Sequence, residues 1–285
     1  MLILPEHPWR ESCARWQRAE EFGFAHAWTY DHLTWREHRN DAWFSAIPTL
    51  TAAALATDQI RLGTLVASPN FRHPLTLAKE IVTLDDISGG RLTLGIGQGS
   101  TGWDVTMMGA ELGSPRERSE RFAEFVELTD LLLREPETTY VGSFYSVREA
   151  RTYPGCVQSP RVPIAIAASG RTGMRLAARF AETWVTTGNR TRPGPVDSAQ
   201  GTRDVRDQID RLEEACIECG REPATLSRLV VTGPTLTSGL GSVDEFEDTV
   251  GRYAAIGATD LVVHWPRAND PYRADYSIFE RIFSH

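Results

Sequence analysis

The sequence predicts an α/β protein: a single-domain (β/α)8 TIM barrel with a small extra hairpin and loop insertions at its C-terminal face. Three observations predict it. Short β-branched runs alternate with helical patterns along the whole 285-residue chain, the signature of a parallel sheet with helices outside it. Eight such units can be counted, and eight units close into a barrel rather than an open doubly wound sheet. No repeat, low-complexity segment or linker interrupts the series, so residues 1–285 read as one domain.

The elements follow in order. Leu2–Leu4 reads as a short strand, and an amphipathic helix over Trp9–Phe22 ends at Gly23. Ala25–Tyr30 is the second strand, Phe44–Thr57 an Ala- and Leu-rich helix and Ile60–Ala67 the third strand. His73-Pro74 opens a helix through Ile87 that Gly89 and Gly90 terminate, and Arg91–Ile96 is the fourth strand. Ser114 followed by Pro115 is an N-cap with proline at the first helical position, opening a helix to about Arg134 with Arg118 rather than Glu at the fourth position. Tyr140–Val147 reads as the extra hairpin strand. Then come strand Val162–Ala168, helix Gly170–Ala181, strand Thr183–Thr187 and a Pro/Gly-rich loop over Asn189–Gly201. Helix Arg203–Cys219, strand Arg228–Leu236, helix Val243–Ile256, strand Asp260–His264 and helix Tyr276–Phe283 complete the chain.

Composition excludes several function classes. A net charge of −8 argues against nucleic acid or an anionic membrane as partner. No stretch approaches the roughly 20 apolar residues that span a bilayer, and MLILPEHPWR lacks the regions of a signal peptide. Four cysteines make no disulfide scaffold in a chain of this length. A soluble, cytoplasmic protein is expected. Lys79 is the sole lysine, so no other position can carry a Schiff base.

In RLTLGIGQGSTG, residues 91–102, Gly97, Gly99 and Gly102 spell G-x-G-x-x-G behind a strand. A dinucleotide fingerprint also needs a helix opening at the last glycine and an acidic residue at a strand end about 20 positions on. Here the next capped helix starts at Ser114, and Glu120 and Glu124 fall mid-helix. NAD is therefore not expected. Barrel sites lie at the C-terminal strand ends, where Gly95, Gly97 and Gly99 would let a flat ligand approach the backbone. A tight barrel corner explains the same glycines equally well.

From Leu62 to Gly99 the chain reads LGTLVASPNFRHPLTLAKEIVTLDDISGGRLTLGIGQG. This block closely resembles the luciferase-like flavin monooxygenase family, which includes the F420-dependent oxidoreductases. Upstream, FGFAHAWTYDHL resembles the family's Gly…Trp…Asp-His segment; downstream, IAASGRTGMRLAARFAETWVTTG resembles its Ser-Gly…Leu-Ala-Ala-Arg segment. The resemblance independently implies a (β/α)8 barrel.

It also implies a site. Asp31 and His32 end the second strand; on the residues alone His32 is more simply a loop histidine held by Asp31, but in relatives this pair lies near the cofactor ring. His32 and Asp31 are therefore the expected catalytic residues, histidine being able to move a proton near neutral pH. Trp35 could stack on a substrate or ring face, or simply pack the loop. Relatives carry a cis peptide at the bulge that supports the ring, and Ser68-Pro69 is expected to be that bond, because proline lowers the cost of cis to about 0.5–1 kcal/mol. Gln98, between Gly97 and Gly99, offers donors and an acceptor to the ring's pyrimidine edge, with Thr101 and Trp103 as companions. Ser169, Gly170, Arg171, Thr172 and Gly173 open a helix where the cofactor phosphate is expected, beside Thr186, Thr187 and Gly188.

Two patterns are set aside. Cys216-Ile217-Glu218-Cys219 ends a helix, whereas a redox pair needs the helix N-terminus and zinc needs a second pair. His26, His32 and His38, six apart, fit no metal face. No metal is expected.

The resemblance implies reduced FMN with O2 acting on a small organic substrate, with a separate flavin reductase as partner and a homodimer as assembly. The alternative is coenzyme F420, which transfers a hydride without activating O2; its acidic tail would want a basic groove, for which Arg36, Arg39, Arg190 and Arg192 are candidates. A non-catalytic flavin-binding barrel is the third reading, against which Asp31, His32 and Gln98 all stand. Substrate choice rests with residues 36–43, 101–113 and 189–201, the last a candidate lid around Pro193, Gly194 and Pro195.

Overall fold

The structure is a computed structural model and describes residues 1–35, 38–99, 102–189, 191, 196–233 and 235–284. In chain order the elements are α1 (Trp9–Glu21), β1 (His26–Thr29), α2 (Ala46–Ala56), β2 (Arg61–Thr64), α3 (Pro74–Ile87), β3 (Leu92–Gly97), α4 (Trp103–Met107), α5 (Pro115–Arg134), β4 (Glu137–Val141) and β5 (Ser146–Arg151). They continue as β6 (Ile164–Ala167), α6 (Arg171–Phe180), β7 (Thr183–Thr186), α7 (Ser198–Glu218), β8 (Ser227–Val231), α8 (Val243–Ala255), β9 (Asp260–Val262) and α9 (Tyr276–Phe283). Strands β1, β2, β3, β6, β7, β8 and β9 pair in that order as one curled parallel sheet.

The sequence expectation of eight strands is corrected at the first. Leu2–Leu4 is not a strand; Leu2 alone forms a parallel bridge to Trp28 on one side and to His264 on the other. Its N–H donates to the Val263 carbonyl at 2.8 Å, and the Trp265 N–H donates back to its own carbonyl at 2.8 Å. Pro5, three residues on, has no N–H to extend a ladder. On the β1 side the Ile3 N–H donates to the Trp28 carbonyl at 2.9 Å and the Trp28 N–H to the Met1 carbonyl at 2.8 Å, so residues 1–3 tie both edges of the curled sheet together.

The sheet is apolar on both faces, as a parallel sheet under helices must be. Successive residues alternate between two clusters. Ile3, Ala27, Ile164 and Ile166 meet the outer helices, with Trp16, Leu50, Phe125, Trp184 and Phe279. Leu2, Trp28, Ala165, Val185, Leu229 and Val262 fill the concave side. The concave packing stops at Tyr30, Trp35 and Leu65, and the cavity begins there.

Helix starts follow local chemistry. His73 caps α3, its Nδ1 accepting from the Leu75 N–H, with Pro74 in the first turn. Ser114 caps α5 in a full capping box with Glu117; the sequence reading placed the decisive residue one position late, at Arg118. Helix α7 begins at Ser198 under an Asp197 cap, five residues before the expected start, so residues 198–201 are helix rather than loop. The antiparallel pair β4–β5 leaves the chain between α5 and β6, a helix-to-strand connection. The hairpin was expected among the C-terminal-face insertions and instead leaves from the other end of the units. Its turn reaches back along α5, where the Glu124 carboxylate accepts backbone N–H groups of Ser143, Phe144 and Tyr145. Among the described residues no helix is long and apolar enough to cross a membrane.

Candidate functional site

A cavity of about 660 Å³ opens where the parallel strands end, within the range of small-molecule and cofactor pockets. Its floor is β3 and the residues after β2. Gly97, Gln98 and Gly99 line it, with Leu65, Val66 and Ser68 from the neighbouring connection. The glycines do more than clear space for a ligand. A Cβ on Gly95 would run into the Thr64 carbonyl oxygen, and one on Gly97 would come 2.5 Å from Val66 Cγ2. Gly95 does not reach the cavity; it lets the two strands approach. Gly97 does both.

The cis bond is not where the sequence reading put it. Ser68-Pro69 is not cis; Leu65-Val66 is, at the same bulge three residues earlier. A proline lowers the intrinsic cost of cis but does not choose the bond. Pro69 is buried and does not line the cavity. Ser68 does, and its buried hydroxyl has no hydrogen-bond partner among the described residues.

Gly97→Ala is expected to cost about 1–3 kcal/mol of stability by forcing Val66 off its seat. Chemical denaturation measures this, and an unchanged midpoint would reassign Gly97 to ligand clearance alone.

His32 lines the cavity. Its Nδ1–H donates to Asp104 Oδ2 at 2.7 Å, and the Leu33 N–H donates to the other Asp104 oxygen at 2.8 Å. Asp104 is fully buried at 0% exposure, so this carboxylate fixes both the ring and the backbone beside it. The Trp43 indole N–H donates to the His32 carbonyl at 3.0 Å, and the Trp35 ring lies 4.6 Å from the imidazole. With Nδ1 committed to Asp104, Nε2 is the nitrogen left for the cavity.

Sequence reasoning missed Asp104. It sits on α4, five residues opening directly after Gly102, where no helix was expected because no capping side chain announces it. Asp31, expected to act with His32, turns the other way. Its carboxylate accepts Arg72 Nε at 3.0 Å and Nη2 at 2.7 Å, Arg72 Nη1 reaches Glu80 at 2.9 Å, and Asp31 does not line the cavity. Burial pushes the Asp31 carboxyl up while the Arg72 fork opposes that shift.

Ser169, Gly170, Arg171, Thr172 and Gly173 line the cavity at the start of α6, as do Thr186, the last residue of β7, and Thr187 and Gly188 after it. The Arg171 guanidinium is held by Glu218 at 2.9 Å. From α5, Arg118, Ser119 and Phe122 add a wall the sequence did not suggest; Arg118 Nε is buried without a partner among the described residues. Arg39 stacks over Trp103 at 4.1 Å. Thr101, Arg36, Arg190, Arg192, Pro193, Gly194 and Pro195 lie outside the described residues.

A glycine floor, an orphaned Ser68 hydroxyl and an orphaned Arg118 nitrogen fit a flat ring carrying polar edges and an anionic arm. The profile of the luciferase-like monooxygenase family matches residues 2–238. The chain belongs to that family. Among relatives of this luciferase-like chain, the F420-dependent glucose-6-phosphate dehydrogenase of Microbacterium testaceum is 35% identical over 205 residues, covering 69% of this chain and 60% of its own length. The enzyme of the same name from Beutenbergia cavernae is 29% identical over 295 residues, covering 88% and 86%. An F420-dependent secondary alcohol dehydrogenase solved with an F420-acetone adduct superposes with a TM-score of 0.80 at 17% identity, covering 100% of this chain and 98% of its own; it shows the shared fold.

Proposed function

We propose that the protein is an F420-dependent oxidoreductase that passes a hydride between the deazaflavin and a small hydroxylated or carbonyl compound. The sequence reading put FMN and O2 first; the two F420-dependent relatives favour its alternative. The observation that carries the reading is His32, locked by the buried Asp104, on the wall of a glycine-floored cavity.

F420, when bound, accepts or gives a hydride at its ring. The chain supplies the rest. Gly97, Gln98, Gly99, Val66 and Ser68 would hold the ring, and the start of α6 with Ser119 and Arg118 would hold the anionic arm. His32 Nε2 takes the proton from a substrate hydroxyl as its carbon loses hydride, and returns it in the reverse direction. Asp104 keeps Nδ1 protonated so that Nε2 stays a base. Trp35 and Leu65 exclude water beside the imidazole. The curled sheet reads as a (β/α)8 barrel whose remaining strand is reduced to the Leu2 bridge, and the assembly as a homodimer.

Calorimetric titration of the cofactor-free protein with F420 and, separately, FMN tests this. Binding of F420 and not FMN is expected. Binding of FMN alone would restore the oxygenase reading and direct assays to O2 consumption. Binding of neither would remove the cofactor assignment.

A further inference from the structure

The cavity wall at the end of β7 is shaped by a residue that does not line it. Thr186, Thr187 and Gly188 line the cavity; Gln208, in the middle of α7, does not. Gln208 nevertheless closes a ring of three hydrogen bonds with that turn. The Gly188 N–H donates to Thr186 Oγ1 at 3.0 Å, Gln208 Nε2 donates to the Gly188 carbonyl at 3.1 Å, and the Thr186 hydroxyl donates to Gln208 Oε1.

The backbone fixes each of these directions. A carbonyl can only accept, so Gly188 takes the amide nitrogen of Gln208, and the amide oxygen is thereby turned to Thr186. An amide oxygen also only accepts, so Thr186 gives it the hydroxyl proton while taking the Gly188 N–H on a lone pair. Thr186, Gly188 and Gln208 are all buried, and a buried polar ring is stable only when every member is satisfied. Thr186 has spent its one proton and cannot donate to a ligand.

The turn is held to one shape. Gly188 has φ 80°, and a Cβ there would come 2.7 Å from Leu236 Cδ2, so only glycine fits. Between the two bonded ends stands Thr187, half-buried on the cavity wall. Neither its N–H nor its hydroxyl donates to any other described residue. β7 pairs with β6, and β6 leads into Ser169–Gly173 at the start of α6. Two unspent donors thus stand beside the place assigned to the anionic arm.

We infer that Gln208 is a positioning residue for this site: by closing the turn it presents the Thr187 N–H and hydroxyl to an anionic oxygen of the ligand, while touching no ligand itself. Thr187 is the contact and Thr186 the link. The inference rests on the reading of this cavity as the cofactor site, and not on which of the two cofactors it takes.

Calorimetric titration of F420 and of FMN into the wild type and three variants tests it. Gln208→Glu is the discriminating one. A protonated glutamic acid repeats the glutamine pattern, with an O–H for Gly188 and an oxygen for Thr186, whereas the carboxylate has no donor and sets a charge against the Gly188 carbonyl. Burial and that carbonyl hold the new carboxyl above the ordinary glutamate value, so it is protonated at about pH 5 and ionised by about pH 9. Against the wild type at the same pH, Gln208→Glu is expected to bind equally in acid and about 10-fold more weakly in base, the span of one hydrogen bond. Gln208→Met, which has no donor, should be about 10-fold weaker at both ends of the range. Thr187→Val should lose a similar factor, and adding Gln208→Met to it should cost little more, because the two act through one contact. An unchanged affinity in Gln208→Met or in Thr187→Val, or a Gln208→Glu deficit that is the same in acid and base, would overturn the inference. An acid-restored affinity read with FMN, in a protein that does not bind F420, would uphold it and overturn only the cofactor reading. F420 binding without acid restoration would overturn only this inference, and binding of neither cofactor would overturn both.

Discussion

Asp104→Asn is expected to lower turnover of the F420-loaded protein by about 10²–10⁴-fold, the usual share of a positioned general base, while leaving F420 affinity unchanged. The carboxylate accepts from His32 Nδ1 and from the Leu33 N–H, and an asparagine can keep only one of those bonds with its oxygen. If its amide turns an N–H toward Nδ1, the imidazole shifts its proton to Nε2 and no base faces the cavity. If it keeps its oxygen there, the Leu33 N–H meets a donor instead and the loop moves. Either outcome removes the base from its place. His32→Ala should cost about as much, and the double variant little more, because the two residues act as one unit. Single-turnover reduction of F420 by a hydroxy compound the wild type oxidises measures the loss directly. An Asp104→Asn variant with wild-type turnover would leave the pair a structural contact only.

The elements that positioned this site were largely legible, because hydrophobic period and terminators are local signals. His73-Pro74 and the Gly89-Gly90 stop bracket α3, whose observed span is Pro74–Ile87. Leu2 was misread because a strand is defined by its neighbours, and its partners are Trp28 and His264. The site was legible only in part. His32, Gln98, Ser68 and the segment 169–173 line the cavity. The partner of His32 could not be read, because Asp104 lies 72 residues away from it. Asp31 was paired with His32 because they adjoin in sequence. Adjacent residues at a strand end point to opposite sides, so one carboxylate went to Arg72 and the imidazole went to another.

That divergence gives Arg72→Met the largest expected effect on stability, about 3–5 kcal/mol, the cost of stripping one partner from a buried pair. Asp31 is 1% exposed and takes two hydrogen bonds from the guanidinium. Methionine fills much of the volume but leaves the carboxylate uncompensated. Burial already raises the Asp31 carboxyl in the wild type, and without Arg72 it rises further. A carboxyl whose folded value lies above its unfolded value contributes stability at low pH and loses it as pH rises through the folded value. The Arg72→Met deficit should therefore be deepest at neutral pH and shrink in acid as Asp31 takes up a proton. Asp31→Asn combined with Arg72→Met removes the buried charge and should recover part of the loss at neutral pH while changing little in acid. Denaturant unfolding of both variants across that range reads the sign. A deficit that does not depend on pH would mean that Arg72 acts through packing, over the Phe71 ring 4.9 Å away, and not through Asp31. If the charge account holds, the strand end carries His32 toward the cavity because Asp31 is anchored behind it, and Arg72→Met should also slow turnover in a form that acid does not restore, since a neutral Asp31 no longer holds the turn against α3.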